Sequence, residues 1–124
     1  MSLMVSIIAK SDVQVDTEFM EAQVPEPHND LFGIESCRRT LWGHDVIQEL
    51  GCELIYSLKK TNVYVFDEDI EKLRAEFIMM MDHLDIIMQR TGFDRDYVEF
   101  RVGNALEMIK LALREKDKVG IALW

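Results

Sequence analysis

The sequence predicts an α+β fold. A small, mainly antiparallel sheet of about three to four short strands is expected to pack against a long antiparallel helix hairpin and a shorter N-terminal helical segment. Two stretches, 67–90 and 96–115, repeat apolar residues at helical spacing, and only Gly92-Phe93 and a few polar residues separate them. Such a short link makes the two helices antiparallel neighbours. Short apolar runs that are typical of strands lie at 4–9, 62–66 and 119–124.

The first long helix is predicted over Asp67–Arg90, which contains no Gly or Pro. As one uninterrupted helix it would be a rod of roughly 36 Å. Acidic residues crowd its first turn, where the helix dipole favours carboxylates, and Gly92 suits its end. Its predicted buried stripe consists of Ile70, Leu73, Phe77, Met80, Met81, Leu84, Ile87 and Met88.

The second long helix begins with a pattern at Asp96–Glu99 that resembles a capping box, and Lys116-Asp117-Lys118 ends it. Its apolar face is broad enough to need two neighbours, the first long helix on one side and the sheet on the other. The chain then returns near the end of strand 62–66. The closing strand 119–124 is therefore predicted to run antiparallel to strand 62–66.

The N-terminal half is less regular. Residues 4–9 predict a strand buried on both faces, and the alternation at 12–16 predicts a second, half-exposed strand. Residues 17–30 are predicted to form an acidic loop that contains Pro25 and Pro27 and starts with one or two helical turns.

A helix is next predicted from Asn29-Asp30 to Leu50, with Gly51 as its stop signal. Because Gly33 and Gly43 weaken a helix, the alternative is two shorter helices with a bend near Trp42-Gly43. Residues 52–58 suit either a strand or an extended loop.

Length and composition predict a single globular domain over residues 1–124, since 48% of the residues are hydrophobic. Met1–Leu3 precedes a second methionine and is interpreted as a cloning remnant. No apolar run approaches the ~18 residues of a membrane span. Two cysteines are too few for a disulfide framework, so the chain is expected to be cytoplasmic with reduced thiols.

The net charge of −9 is unevenly distributed. No Lys or Arg lies between Lys10 and Arg38, whereas this interval contains seven acidic residues. The rest of the chain carries a charge of only −2. Because a phosphate backbone is bound through Lys and Arg, the sequence argues against nucleic-acid partners and anionic membranes.

No catalytic residue, cofactor or metal is predicted. The chain lacks the motifs that mark phosphate-binding loops, dinucleotide-binding turns and nucleophile elbows. The potential metal ligands do not have the paired spacing of structural zinc sites: His28, Cys37, His44 and Cys52. Both cysteines are interpreted as buried apolar side chains.

Arg101 breaks the apolar pattern of the second long helix, because helical spacing places it near the middle of the inner face. A charge there needs a carboxylate or carbonyl partner. One interpretation is a structural ion pair. The other is a ligand-binding cleft between helix and sheet, built from Arg101, His44 and Tyr64, in a small-molecule-binding domain or an enzyme.

A second apolar strip lies on the back of the first long helix and includes Met79 and Ile86. Such a strip predicts a homodimer contact. The alternative is burial against the amino-terminal segment of the same chain.

Two function hypotheses follow. The first is a small acidic interaction protein, of the inhibitor or immunity type, that docks a basic protein through Glu18, Glu21 and Glu26 together with the exposed Met79 and Ile86. The second is the ligand-binding domain or enzyme described above. A flat face with an apolar centre and acidic residues would favour the first hypothesis, and a pocket that holds Arg101 and His44 together would favour the second.

Overall fold

The computed structural model describes residues 1–124 and has the predicted α+β fold. A single four-stranded sheet has the order β2-β1-β4-β3, and every neighbouring pair is antiparallel. Its strands are β1 (Ser2–Ala9), β2 (Leu31–Ile34), β3 (Val63–Val65) and β4 (Val119–Leu123). The antiparallel pairing of β3 with the closing strand β4 confirms the topology inferred from the short helix connection.

Six α-helices accompany the sheet: α1 (Thr17–Glu21), α2 (Asp45–Glu49), α3 (Glu53–Tyr56), α4 (Glu68–Met81), α5 (Leu84–Thr91) and α6 (Arg95–Arg114). A π-helical turn at Arg38–Trp42 precedes α2, and a 3₁₀ turn at Ser57–Lys59 follows α3. The long helix α6 contacts α4 and α5 as well as the sheet, as its broad apolar face predicts. No helix is both long enough and apolar enough to cross a membrane.

Helices cover one face of the sheet. Because side chains alternate along a strand, Leu3, Val5 and Ile7 of β1 point to the same face, and all three are buried. The centre of the core is aromatic: the rings of Phe32 and Trp42 stack with centroids 4.0 Å apart, and Phe77 meets Phe32 edge-on at 5.8 Å. The Trp42 indole also donates a hydrogen bond of 3.0 Å to the Phe32 carbonyl.

The predicted 24-residue helix is wrong in one respect, because it breaks at Asp82-His83 into α4 and α5. In a continuous helix the His83 N–H would bond the Met79 carbonyl. Instead the His83 ring contacts that carbonyl at 2.8 Å, and the His83 N–H donates to Met80. The two helices still bury most of the predicted stripe, with Met88 as its clearly exposed member.

The helix predicted from Asn29 to Leu50 is also wrong. Residues 31–34 form strand β2, which pairs with β1, and only the π-helical turn and α2 are helical. The alternative bend near Gly43 is confirmed, since Gly43 lies between these two helical segments. Its backbone is tightly enclosed, because a Cβ there would lie 2.5 Å from the Arg38 carbonyl oxygen.

Three smaller corrections concern short segments. The strand predicted at 12–16 does not form, and Asp12 instead has a positive φ of 65°. Residues 53–59 are helical rather than extended. Strand β1 is fully buried on its helix-facing side only, because no helix covers Met4, Ser6 and Ile8 on the other side, where they are half-buried. This side of the sheet is mostly apolar.

Candidate protein-interaction surface

The uncovered side of the sheet, called the open sheet face below, follows from the strand register. Ser6 pairs with Ala122, which pairs with Tyr64. On the other side of β1, Met4 and Ser2 pair with Leu31 and Ile34. With the alternate residues of each strand and the aromatic residues that directly follow β3 and β4, the open sheet face comprises Ser2, Met4, Ser6, Ile8, Leu31, Ile34, Tyr64, Phe66, Gly120, Ala122 and Trp124.

This face is mostly apolar and partly exposed. Four of its large side chains keep much of their area in water: Leu31 42%, Ile34 59%, Tyr64 58% and Trp124 47%. Sheets with one face in solvent usually carry polar residues on that face. The strand positions of the open sheet face instead contain no Asp, Glu, Lys or Arg, and Lys10 and Lys118 lie just beyond the ends of β1 and β4 on the same side. An uncharged apolar area of this kind is typical of a surface that contacts another molecule.

Hydrogen bonds position its two exposed aromatic side chains. The Trp124 indole N–H donates to the Ser6 hydroxyl at 2.9 Å. The Asn62 side-chain amide donates to the Tyr64 hydroxyl at 3.3 Å. Aromatic side chains have few rotatable bonds, so these two rings form large contact areas that lose little entropy on binding.

Acidic residues lie at one edge of the sheet. Strand β2 is shorter than β1, and the free edge of β1 beyond it is occupied by α1, where the Ile7 N–H donates to the Glu21 carboxylate at 2.7 Å. Burial raises the pKa of Glu21, and nearby Asp30 and Glu18 act in the same direction, while the hydrogen bond from Ile7 opposes them. Glu18 and Glu26 are exposed. Of the three predicted docking carboxylates, Glu21 is thus bound within the fold and the other two are free.

The proline-containing loop is attached to α6 rather than solvated throughout. Asn104, the one fully buried polar residue, accepts from the Asn29 N–H at 3.1 Å and donates to the Leu31 carbonyl at 2.8 Å. Its side-chain oxygen also lies 2.9 Å from Nδ1 of His28. The His28 ring occupies the space where Gly103 has no side chain, since a Cβ there would lie 2.5 Å from Cε1. This attachment fixes the start of β2 and hence Leu31.

Arg101 has no carboxylate partner, so the predicted structural ion pair does not form. Its guanidinium carbon instead lies 4.3 Å from the ring centroid of Tyr97 and 5.4 Å from that of Phe100. The buried Nε has no hydrogen-bond partner. The helix-facing position predicted for Arg101 is half-buried, so stacking on aromatic rings can replace an ion pair.

The predicted ligand-binding residues do not meet. Tyr64 lies on the open sheet face, whereas Arg101 stacks on α6 on the other side of the sheet. His44 caps α2, where its Nδ1 accepts from the Val46 N–H at 3.0 Å. No shared cleft therefore brings the three side chains to one ligand.

Met79 and Ile86 are exposed on α4 and α5. They are not buried against the amino-terminal segment, which was the alternative to a dimer contact. The homodimer itself stays a prediction.

The two cysteines are buried and unpaired with each other. Burial raises the pKa of the Cys52 thiol to about 12, and Glu76 and Glu53 add to this effect. The thiol donates to the Glu76 carbonyl at 3.3 Å. A protonated, enclosed thiol is unsuited to nucleophilic or metal-binding chemistry, and no group of three or more potential metal ligands occurs in the structure.

Comparison of the chain with protein-family models, with curated proteins and with solved structures finds no match.

The open sheet face is a site that the sequence did not predict. Its signal was present in the run at 4–8, where Met4 and Ile8 occupy positions that are polar in a strand with one solvated face. We interpreted this run as a strand buried on both faces. The same pattern also fits a face that another molecule covers.

Proposed function

We propose that the protein is a small acidic interaction module that docks a basic protein on its open sheet face. One observation carries this proposal: the strand residues on this face of the sheet are uncharged and mostly apolar, and several large side chains among them are exposed, in a chain whose net charge is −9. Burial of exposed aromatic and aliphatic side chains contributes about 25 cal/mol per Å² of apolar area and is the main driving force of such contacts.

Charge determines the kind of partner. The segment between Lys10 and Arg38 has seven acids and no base, and its helix α1 lies along the free edge of β1. Exposed Glu18 and Glu26 in this segment favour the approach of a basic protein and disfavour an acidic one. The apolar face then supplies the lasting contact, while the acidic edge selects the partner and accelerates its association.

An apolar face with an acidic border is the combination that acidic inhibitors use to neutralise cationic enzymes. An apolar centre excludes water, and carboxylates at the border meet Lys and Arg of the partner. The partner is therefore expected to present a surface with an apolar centre and a basic border.

The experiment uses the whole chain as bait in an extract of its native host, followed by kinetic measurements with the purified partner. Glu18→Gln/Glu26→Gln should slow association at low ionic strength, and the difference should shrink as salt screens the charges over about 10 Å at 0.1 M. Glu21 is left unchanged because it holds Ile7.

The matched control is Glu71→Gln/Glu99→Gln, which removes two exposed glutamates from α4 and α6. It should associate at a rate close to that of the parent. Equal slowing by both pairs would reduce the effect to net charge, and an unchanged rate for Glu18→Gln/Glu26→Gln would remove the acidic edge from the proposal.

A further inference from the structure

A second surface has the opposite charge. A cleft of about 600 Å³ is lined by Arg38, Arg39, Lys59, Lys60, Thr61 and Asn62, and is called the basic cleft below. It contains four of the 14 basic residues of a chain with 23 acidic ones, and no carboxylate lines it. Two dibasic pairs that lie 20 residues apart in the sequence meet here, which no spacing rule for known motifs would predict.

The fold holds these two pairs together. Gly43 permits the close approach, because a Cβ there would lie 2.5 Å from both the Arg38 carbonyl oxygen and Cβ of Lys59. The Arg38 guanidinium donates to the Leu58 carbonyl at 3.0 Å and to the Asn62 side chain at 3.1 Å. Arg38 thus connects the π-helical turn to the segment that follows α3, and it fixes the floor of the basic cleft.

Arg38 is the neutralised member of the group, since Glu35 accepts from its Nε at 2.7 Å. The other three cations have no carboxylate partner within the chain. Lys59 donates only to the Tyr56 hydroxyl at 3.5 Å, and exposed Arg39 and Lys60 make no side-chain hydrogen bond. Uncompensated like charges that line one cleft repel one another, so a bound anion would stabilise the cleft.

We propose that the basic cleft binds a compact anion that carries two or more phosphate groups. Three cations without a carboxylate partner and the Thr61 hydroxyl supply donors to phosphate oxygens. None of the lining residues is hydrophobic, so the cleft has no stacking platform for a base and no apolar wall for a lipid chain. A small, highly charged ligand fits such a lining.

The same charges limit the size of the ligand. Outside the basic cleft the chain has 23 acidic and ten basic residues, which repel a phosphate chain that continues over the surface. A diphosphate or triphosphate group is short enough to stay within the cleft. A nucleic acid strand is not.

Inorganic tripolyphosphate is the probe, measured by isothermal titration with the full chain at low and at physiological ionic strength. Tripolyphosphate should bind one site, and its affinity should fall as salt rises. Citrate, with three carboxylates, and a single-stranded oligonucleotide should each bind more weakly. Tighter binding of citrate would overturn the phosphate assignment, and tighter binding of the oligonucleotide would overturn the compact ligand. The affinities for tripolyphosphate and for a sugar bisphosphate, measured at equal ionic strength, distinguish an inorganic ligand from a phosphorylated metabolite by which of the two binds more tightly.

The deciding variant is Arg39→Ala/Lys60→Ala, because both side chains are exposed and neither forms an ion pair within the chain. It should weaken tripolyphosphate binding by about tenfold or more, as expected for two lost charge-assisted contacts. The control Arg74→Ala/Lys110→Ala removes the same charges from exposed positions of α4 and α6. The proposal would be contradicted if Arg39→Ala/Lys60→Ala lost less than this affinity for tripolyphosphate, or if Arg74→Ala/Lys110→Ala lost as much affinity as Arg39→Ala/Lys60→Ala.

Discussion

The backbone N–H of Ile7 donates a hydrogen bond of 2.7 Å to the carboxylate of Glu21. Ile7 lies on the part of β1 that β2 does not cover, so this side chain takes the place of a neighbouring strand. A strand edge with unpaired donors invites pairing with other chains. Glu21 therefore protects the sheet edge next to the proposed docking face.

Replacing Glu21 should separate its hydrogen bond from its charge. Glu21→Ala leaves the Ile7 N–H without a partner and should lower the free energy of unfolding by about 1–3 kcal/mol. Glu21→Gln keeps an acceptor oxygen and should be as stable as the parent or more stable at neutral pH. Urea titration measures both, with the exposed Glu18→Ala as control. A parent-like stability of Glu21→Ala would mean that the bond to Ile7 contributes nothing.

The raised pKa of Glu21 predicts a pH dependence of definite sign. The folded state binds the proton of Glu21 more tightly than the unfolded chain does. The charged carboxylate therefore destabilises the fold at pH values above the folded pKa, and this destabilisation disappears as the pH falls towards 4.5, the ordinary pKa of the group. As pH falls through this window, the parent should gain stability relative to Glu21→Gln. Urea midpoints of both proteins at a series of pH values measure the difference. A relative loss for the parent would mean that the pKa is lowered rather than raised.

Leu84 tests the packing of the broken helix. It begins α5, and only 3% of it is exposed. Leu84→Ala should lower the free energy of unfolding by about 2–5 kcal/mol, because it removes buried contacts and leaves a cavity. Ile86→Ala, two residues further on the exposed side, should change it by less than about 1 kcal/mol. A larger loss for Ile86→Ala than for Leu84→Ala would show that the buried and exposed faces of α5 are exchanged.

The elements predicted well are those whose signal is local. Helix α6 extends over Arg95–Arg114 and β3 over Val63–Val65, close to their predicted limits, because periodicity and β-branched residues are properties of the segment itself. The elements missed depend on distant partners. Strand β2 has only four residues and exists because β1 pairs with it, and the break at His83 depends on a side-chain contact with the backbone.

The site residues also differ in whether their role depends on local sequence or on distant partners. The acidic character of 11–37 could be read directly from composition, but the engagement of Glu21 by Ile7 spans 14 residues and could not. Arg101 was expected to need a carboxylate or carbonyl partner, yet Tyr97 one helical turn earlier supplies a ring face. Both the basic cleft and the open sheet face combine residues far apart in the chain, so only the fold brings their members together.

The central claim is that a partner binds the open sheet face, and the dissociation rate of the captured partner tests it most directly. Ile34→Ala/Tyr64→Ala truncates two exposed side chains on the two edge strands of that face, and Met79→Ala/Met88→Ala truncates two exposed side chains on α4 and α5. Surface capture of the parent and both variants at equal salt gives the three rates. We expect the first variant to release the partner about tenfold faster or more, because truncation of large apolar contacts in an interface acts mainly on dissociation. A parent-like rate for Ile34→Ala/Tyr64→Ala, together with faster release from Met79→Ala/Met88→Ala, would contradict the account and place the contact on the helices.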